Sequence, residues 1–229
     1  MSGSVAEGMR RQLEERRRLA AGGDRPIGWK AGFGSPANLD KFGLSGPLVG
    51  FMTDRSLVEN TATVDISNWT RAVAEPELVV HIAEDISPHA GETGAAAAVA
   101  AVGPAIELAD IHHPPDDLEL ALASNVFHRA VILGEADHGR RGCDLTGLEA
   151  GVRLGGVEVG RTRELEELTG RIPTVLSHLA RLLADYGEGI RRGDVVICGS
   201  IVPPVVLSPG DVFEFELAPI GTLSVATHH

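Results

Sequence analysis

A strand-rich α+β fold is predicted for this chain by three features. From about residue 27 onward, short apolar runs alternate with clusters of Gly, Pro, Asp and Ser, the pattern of successive short strands and turns. The segment GVRLGGVEVG sets two alternating runs on either side of Gly155-Gly156, the signature of a two-residue hairpin turn. Helical periodicity, by contrast, is confined to a few segments. With 229 residues, 43% of them hydrophobic, the chain is long enough to bury one large core. We therefore expect residues 1–229 to form one domain, with a helix over about 4–21 and a β-rich body over about 27–226.

The elements follow in order. Val5, Met9 and Leu13 recur every four residues among Arg and Glu, which predicts an amphipathic helix stopped by Gly22 and Gly23. The stretch VAEPELVVHIAED, residues 73–85, reads as a buried strand with two glutamates at its start. The alanine-rich GETGAAAAVAAVGP is bounded by Gly and Pro and predicts a short helix or tight connection. DIHHPPDD reads as a loop and helix start; its adjacent His112 and His113 lack the spacing that aims two ligands at one ion. In RIPTVLSHLARLLADYGEG, the residues Ile172, Val175, Leu176, Leu179, Leu182, Leu183 and Tyr186 share a helical stripe, with Pro173 early and Gly187 at the stop. GDVVICGS and GDVFEFELAPIGTLSV are strands introduced by Gly-Asp turns, so the C-terminal third reads as a helix followed by a β-meander.

Composition narrows the partners. A net charge of −12 repels phosphate backbones, and six Phe, two Trp and one Tyr leave little for base stacking, so nucleic acid is not an expected partner. No apolar run approaches a membrane span, and the basic N-terminal segment is not followed by a signal-peptide core; a cytoplasmic protein is expected. Cys143 and Cys198 lack any CxxC spacing and read as core thiols. An acidic chain that handles an acidic metabolite needs a local positive centre, a metal ion or a placed Lys or Arg.

Side chains alternate along a strand, so Glu75, Glu77, Val79 and His81 share one face of 73–85 while Leu78, Val80 and Ile82 take the other. The two glutamate Cα atoms are then about 6.5–7 Å apart, within reach of one cation. Two readings stand: a solvated strand end, or a cation site. FEFEL supplies a comparison, since Glu214 and Glu216 oppose Phe213, Phe215 and Leu217 and read as a solvated face. GPAIELADI adds Glu107 inside another apolar run, with Asp110 three residues on. Three carboxylates from two strands form an oxygen-only site suited to Mg²⁺ or Mn²⁺.

IGWKAGFGSP, AEPELVVHI, GPAIELADI and the tail RRGDVVICGSIVPPVVLSPGDVFEFELAPIGTLSV occur in the order found in the fumarylacetoacetate hydrolase superfamily, and the chain most resembles its 2-keto-4-pentenoate hydratase and 4-oxalocrotonate decarboxylase branch. The resemblance runs from about residue 5 to 226. It implies a mixed, highly curved β-sandwich or roll with peripheral helices, and a homo-oligomer. It places the metal ligands on Glu75, Glu77 and Glu107, holding Mg²⁺ or Mn²⁺ that chelates a small 2-oxo carboxylate substrate. The lysine of its G-x-K falls on Lys30, where a nearby metal and an apolar setting are expected to lower the pKa for proton transfer. Asp110 is placed near the metal among the catalytic residues, where it would orient a ligand or water, and Ser200 in CGSIVPP binds substrate carboxylate.

One segment departs from the resemblance. Where hydratases of this branch read close to DNAS, this chain has SNVFHRAVILG: Asn125 matches, Ser124 stands in the aspartate position and His128 replaces a small residue. Asn125 and His128, with neighbouring Arg129, are therefore candidates for substrate contact. The implied activity is hydration of a 2-hydroxy-2,4-dienoate to a 4-hydroxy-2-oxo acid, a lyase reaction. Decarboxylation of a 2-oxo-3-enedioate, C–C hydrolysis of an acylpyruvate, and a non-catalytic member are the alternatives. Superfamily hydrolases often carry a His-x-x-Glu element before E-x-E, and residues 36–74 contain no histidine, which favours the lyases.

Overall fold

Alternation of period two, interrupted by turns, folds here into two sheets whose apolar faces share a core. The structure, a computed structural model, describes residues 3–229. In chain order its helices are α1 (Gly3–Ala21), α2 (Pro36–Phe42), α3 (Gly91–Ala97), α4 (Leu118–Ala123) and α5 (Ile172–Ala184). Its strands are β1 (Pro26–Gly32), β2 (Leu48–Thr53), β3 (Thr63–Asp65), β4 (Ala72–Ile82), β5 (Val99–Asp110), β6 (His128–Leu133), β7 (Glu149–Leu154), β8 (Val157–Thr162), β9 (Val195–Ser200), β10 (Val205–Val206), β11 (Val212–Ala218) and β12 (Gly221–His228). The first sheet runs β2-β1-β9-β4-β5-β6, with β10 also paired to β4; the second runs β3-β12-β11-β7-β8. Trp29, Leu78, Val80, Ile106, Phe213 and Phe215 belong to the core that joins them.

The local predictions hold where one element decides them. The β7–β8 hairpin turns through Gly155 and Gly156, both in the left-handed region at φ 57° and 79°, as a primed turn requires. Val175, Leu176, Leu179, Leu182 and Leu183 are buried along α5, and Val5, Met9 and Leu13 along α1. The amide of Gln12 on α1 is buried and donates to the carbonyls of Val49 (2.9 Å) and Leu122 (3.1 Å), pinning α1 over β2 and α4. Among the described residues no helix is long and apolar enough to cross a membrane.

Two predictions hold only in part, for a shared reason. The alanine-rich run is helical only to Ala97 and continues as β5 from Val99, with Gly103 and Pro104 inside the strand. Pro104 is tolerated there because β6 ends before it, and the Pro104 carbonyl instead accepts from the Gly134 N–H at 2.8 Å. The C-terminal third is not a meander: β9 enters the first sheet, parallel to β1 and antiparallel to β4, while β11 and β12 pair in the second. Local alternation marks strands without naming their partners. The thiol reading also divides, since Cys198 is buried and Cys143 half-buried, each without a disulfide partner. Burial pushes the Cys143 thiol up to about 12.

This sheet order is what builds a site. The β4–β5 register sets Glu75 directly opposite Glu107, and β4–β9 sets Glu77 opposite Ser200. On β1, Lys30 pairs with Ile197 of β9 and with Gly50 of β2. The central strands thus carry Lys30, Glu75, Glu77 and Glu107 onto one face, above a small apolar cluster of Met52, Val79, Ala105, Val131 and Ile197. The FEFEL comparison behaves as expected: Phe213, Phe215 and Leu217 are buried while Glu214 and Glu216 are not.

Candidate metal centre

Glu75, Glu77 and Glu107 each bring a carboxylate oxygen within 4.8 Å of the others. Glu77 and Glu107 are 0% exposed and Glu75 is half-buried. Carboxylates crowded out of water resist ionisation. Burial first, then the charge of Glu107, pushes the Glu75 carboxyl up to about 7, and the same causes raise Glu77 well above the usual range. Glu107 moves the other way: burial raises it, but the Lys30 ammonium and the His128 hydrogen bond outweigh burial and hold it down.

The hydrogen bonds leave a pattern suited to a cation. Oε2 of Glu77 accepts the Gly199 N–H at 2.7 Å and its Oε1 is buried without a partner. Oε1 of Glu107 accepts from Lys30 Nζ at 2.5 Å and from His128 Nδ1 at 2.7 Å, and its Oε2 is buried without a partner. Buried oxygens left bare are expensive unless something positive sits between them. The donor set is all oxygen and fits a hard divalent ion such as Mg²⁺, Mn²⁺ or Ca²⁺.

Lys30 is 2% exposed, and Nζ also donates to the Val126 carbonyl at 3.0 Å. Gly50 makes room for it: a Cβ there would lie 2.7 Å from Lys30 Cγ. The lowering expected for its pKa depends on a bound cation as well as an apolar setting; the residues alone act in the other direction. Burial pulls it down, but Glu107, Glu75 and Glu77 outweigh burial, and the ammonium is held above its ordinary range. An apolar setting alone would discharge a lysine; three facing carboxylates keep it charged.

The Val126 carbonyl is aimed by an unusual turn. Asn125, Val126 and Phe127 are successive left-handed residues at φ 54°, 52° and 65°. Such backbone costs about 1–2 kcal/mol per non-glycine residue and needs bracing. Asn125 supplies it: its Oδ1 accepts the Phe51 N–H at 2.8 Å and its Nδ2 donates to the Phe51 carbonyl at 2.8 Å. The amide proposed for substrate contact is thus committed to the backbone of β2. Asn125→Ala is expected to destabilise the fold by about 1–3 kcal/mol, the effect of leaving both Phe51 groups unpaired, read as a lowered urea midpoint.

The remaining candidates separate. A cavity of about 300 Å³ beside the acids is lined by Lys30, Glu75 and Ser200 together with Phe33, Val126 and Phe127. Ser200 Oγ donates to the Val202 carbonyl at 2.6 Å in this state. Asn125, His128 and Arg129 line a different cavity, of about 450 Å³, with Arg55 and His112. Asp110 stands apart from the carboxylate cluster: Oδ1 accepts from the N–H groups of Thr70 (2.8 Å) and Arg71 (3.0 Å), and Oδ2 from Arg129 (3.1 Å). An odd number of residues beyond Glu107, it falls on the other side of the pleat and anchors the loop entering β4. His81 is half-buried further along the acid-bearing face, and the His112 and His113 rings sit 4.4 Å apart; none of the three joins a metal-ligand cluster among the described residues. Sequence reasoning passed over the Gly199 N–H and the Val126 carbonyl, since a backbone group carries no residue-type signal.

Comparisons with known proteins give the family and the fold. The family model described as fumarylacetoacetate (FAA) hydrolase C-terminal matches residues 35–226. A 4-oxalocrotonate decarboxylase of Pseudomonas putida is 31% identical over 93% of this chain and 81% of its own length. A 2-hydroxyhexa-2,4-dienoate hydratase of Comamonas testosteroni is 26% identical over 90% of this chain and 79% of its own. Among solved structures, 4-oxalocrotonate decarboxylase from Pseudomonas putida G7, complexed with magnesium and adipate, superposes with a TM-score of 0.89 at 26% identity, covering 97% of this chain and 86% of that one. The strand-rich roll with peripheral helices is thus the fold that the sequence resemblance implies.

Proposed function

The chain belongs to the fumarylacetoacetate hydrolase family, and we propose that within it the chain is a divalent-metal-dependent lyase that hydrates a 2-hydroxy-2,4-dienoate to a 4-hydroxy-2-oxo acid. The observation that carries this reading is the pair of bare, buried oxygens, Glu77 Oε1 and Glu107 Oε2, beside a cavity into which Lys30 projects. Glu75, Glu77 and Glu107 would hold Mg²⁺ or Mn²⁺. A bound ion of that kind would supply charge stabilisation to the 2-oxygen of a 2-oxo acid as its enol and keto forms interconvert.

The chain's own residues account for the rest. Lys30 holds a proton at Nζ against Glu107 and the Val126 carbonyl, within the cavity, where it can exchange a proton with the 2-oxygen of substrate. Net hydration places oxygen on C4 and hydrogen on C3 and C5 as the dienol becomes the saturated 2-oxo acid. Phe33, Ile111, Val126, Phe127 and Leu168 give the cavity an apolar wall that receives the hydrocarbon end and limits water. Among the described residues Lys30 is the one basic side chain lining it. A monoanionic dienoate therefore suits the cavity better than a dianion, whose second carboxylate would meet no cation. Decarboxylation of a 2-oxo-3-enedioate is kept as a second reading because decarboxylases stand among the relatives and share the fold at a TM-score of 0.89.

The test is spectrophotometric. Freshly generated 2-hydroxypenta-2,4-dienoate and 2-oxohex-3-enedioate are each mixed with protein in EDTA, Mg²⁺ or Mn²⁺, with Glu77→Gln alongside. Metal-dependent loss of dienol absorbance, abolished in the variant, is the expected result. Turnover of the dioate alone would replace hydration by decarboxylation. Turnover unaffected by EDTA or by Glu77→Gln would remove the metal-dependent reading.

A further inference from the structure

Glu107 carries two donors on one oxygen and none on the other. Lys30 Nζ at 2.5 Å and His128 Nδ1 at 2.7 Å both reach Oε1, while Oε2 is buried and bare. A carboxylate oxygen accepts along two in-plane lone-pair directions, so Oε1 is filled and Oε2 is left for another partner. The donors arrive from different strands, Lys30 from β1 and His128 from the first position of β6. The His128 side chain is 4% exposed and follows directly on the left-handed turn, so its ring is confined.

We propose that His128 is a positioning residue of the metal centre: its Nδ1–H, donated to Glu107 Oε1, fixes the carboxylate plane so that Oε2 alone is presented to a divalent cation. The inference rests on the cation-site reading above. One ammonium on a flexible four-carbon stem leaves a carboxylate able to pivot about its terminal torsion, whereas a second donor from a confined ring removes that freedom. A neutral imidazole suffices, because the acceptor at Nδ1 selects the tautomer with the proton there. This role differs from substrate contact: His128 lines the second cavity and does not line the one that holds Lys30, Glu75 and Ser200.

The test uses the full chain, freed of metal and titrated with Mn²⁺, with free ion followed by electron paramagnetic resonance, for wild type, His128→Asn, His128→Gln and His128→Ala. An asparagine amide nitrogen reproduces the position of Nδ1 and a glutamine that of Nε2. His128→Asn is expected to bind within about threefold of wild type, whereas the Ala and Gln variants weaken Mn²⁺ binding about 10- to 100-fold. Circular dichroism and urea midpoints in EDTA establish that the variants are folded; should His128→Ala not fold, the Asn and Gln variants still decide. Equal affinity in all folded variants, with wild type binding Mn²⁺, would overturn the positioning role alone, as would equal weakening of Asn and Gln. A wild type that binds no Mn²⁺ would overturn the cation site and this inference with it.

Discussion

Metal-free Glu75→Gln protein should resist urea better than wild type at pH 8, by about 3 kcal/mol, and the difference should shrink once Mn²⁺ is added. The folded carboxyl of Glu75 titrates at about 7 instead of its ordinary 4.5, because burial and Glu107 oppose its charge. Between those values the folded state holds a proton that the unfolded chain has released. Stability from this group is complete below about 4.5 and is lost as pH rises through about 7. Glutamine has no proton to lose, so the variant escapes the loss. His81 and His178 work in the opposite sense, since burial lowers both below 6.5 and their contribution is lost as pH falls. Wild type alone therefore mixes the two trends, and the difference between wild type and Glu75→Gln isolates the carboxylate. Mn²⁺ at 100 times its Kd adds about 2.7 kcal/mol to a protein with an intact site and less to the variant. Urea midpoints from pH 5 to 8, in EDTA and in Mn²⁺, check both halves. A variant no more stable than wild type at pH 8 in EDTA would show that the three acids are not in electrostatic conflict.

That conflict is also why the acids were legible in the sequence. Two glutamates one residue apart in an apolar strand break the alternation that burial demands, and a third inside GPAIELADI breaks it again. The FEFEL pair shows the limit of the signal, because the same spacing there faces outward. What separates the two is the β4–β5 register, which sets Glu75 against Glu107 and which periodicity does not encode. Helix α5 and the Gly155-Gly156 hairpin were legible because a single segment decides them. The insertion of β9 between β1 and β4 was not, since strand partners are a property of the whole chain. Asn125 and His128 fall between these cases. Their departure from the hydratase-like pattern marked the segment, but only the three-residue left-handed turn shows that Asn125 braces β2 and that His128 reaches Glu107.

Lys30→Met should destabilise the metal-free protein by about 3–5 kcal/mol at pH 8, because it leaves buried carboxylates with no fixed cation among them. The loss should shrink at pH 5, where Glu75 and Glu77 hold protons, and shrink again in Mn²⁺ at pH 8. Turnover should fall about 10²- to 10⁴-fold even with metal bound, since among the described residues no other basic side chain lines the cavity to move a proton. Stability alone does not separate a catalytic lysine from a structural one, and the double variant Lys30→Met/Glu107→Gln does. Removing both members of a buried pair is far less harmful than removing one, so the double variant should recover most of the stability lost by Lys30→Met. It should nonetheless bind Mn²⁺ weakly and remain inactive. Recovery of stability without recovery of function would mean that the core could do without the Lys30–Glu107 pair, and that chemistry is what keeps a charged lysine and three carboxylates on one buried face. A double variant as unstable as Lys30→Met would instead make the pair part of the packing and weaken the assignment of Lys30 to proton transfer.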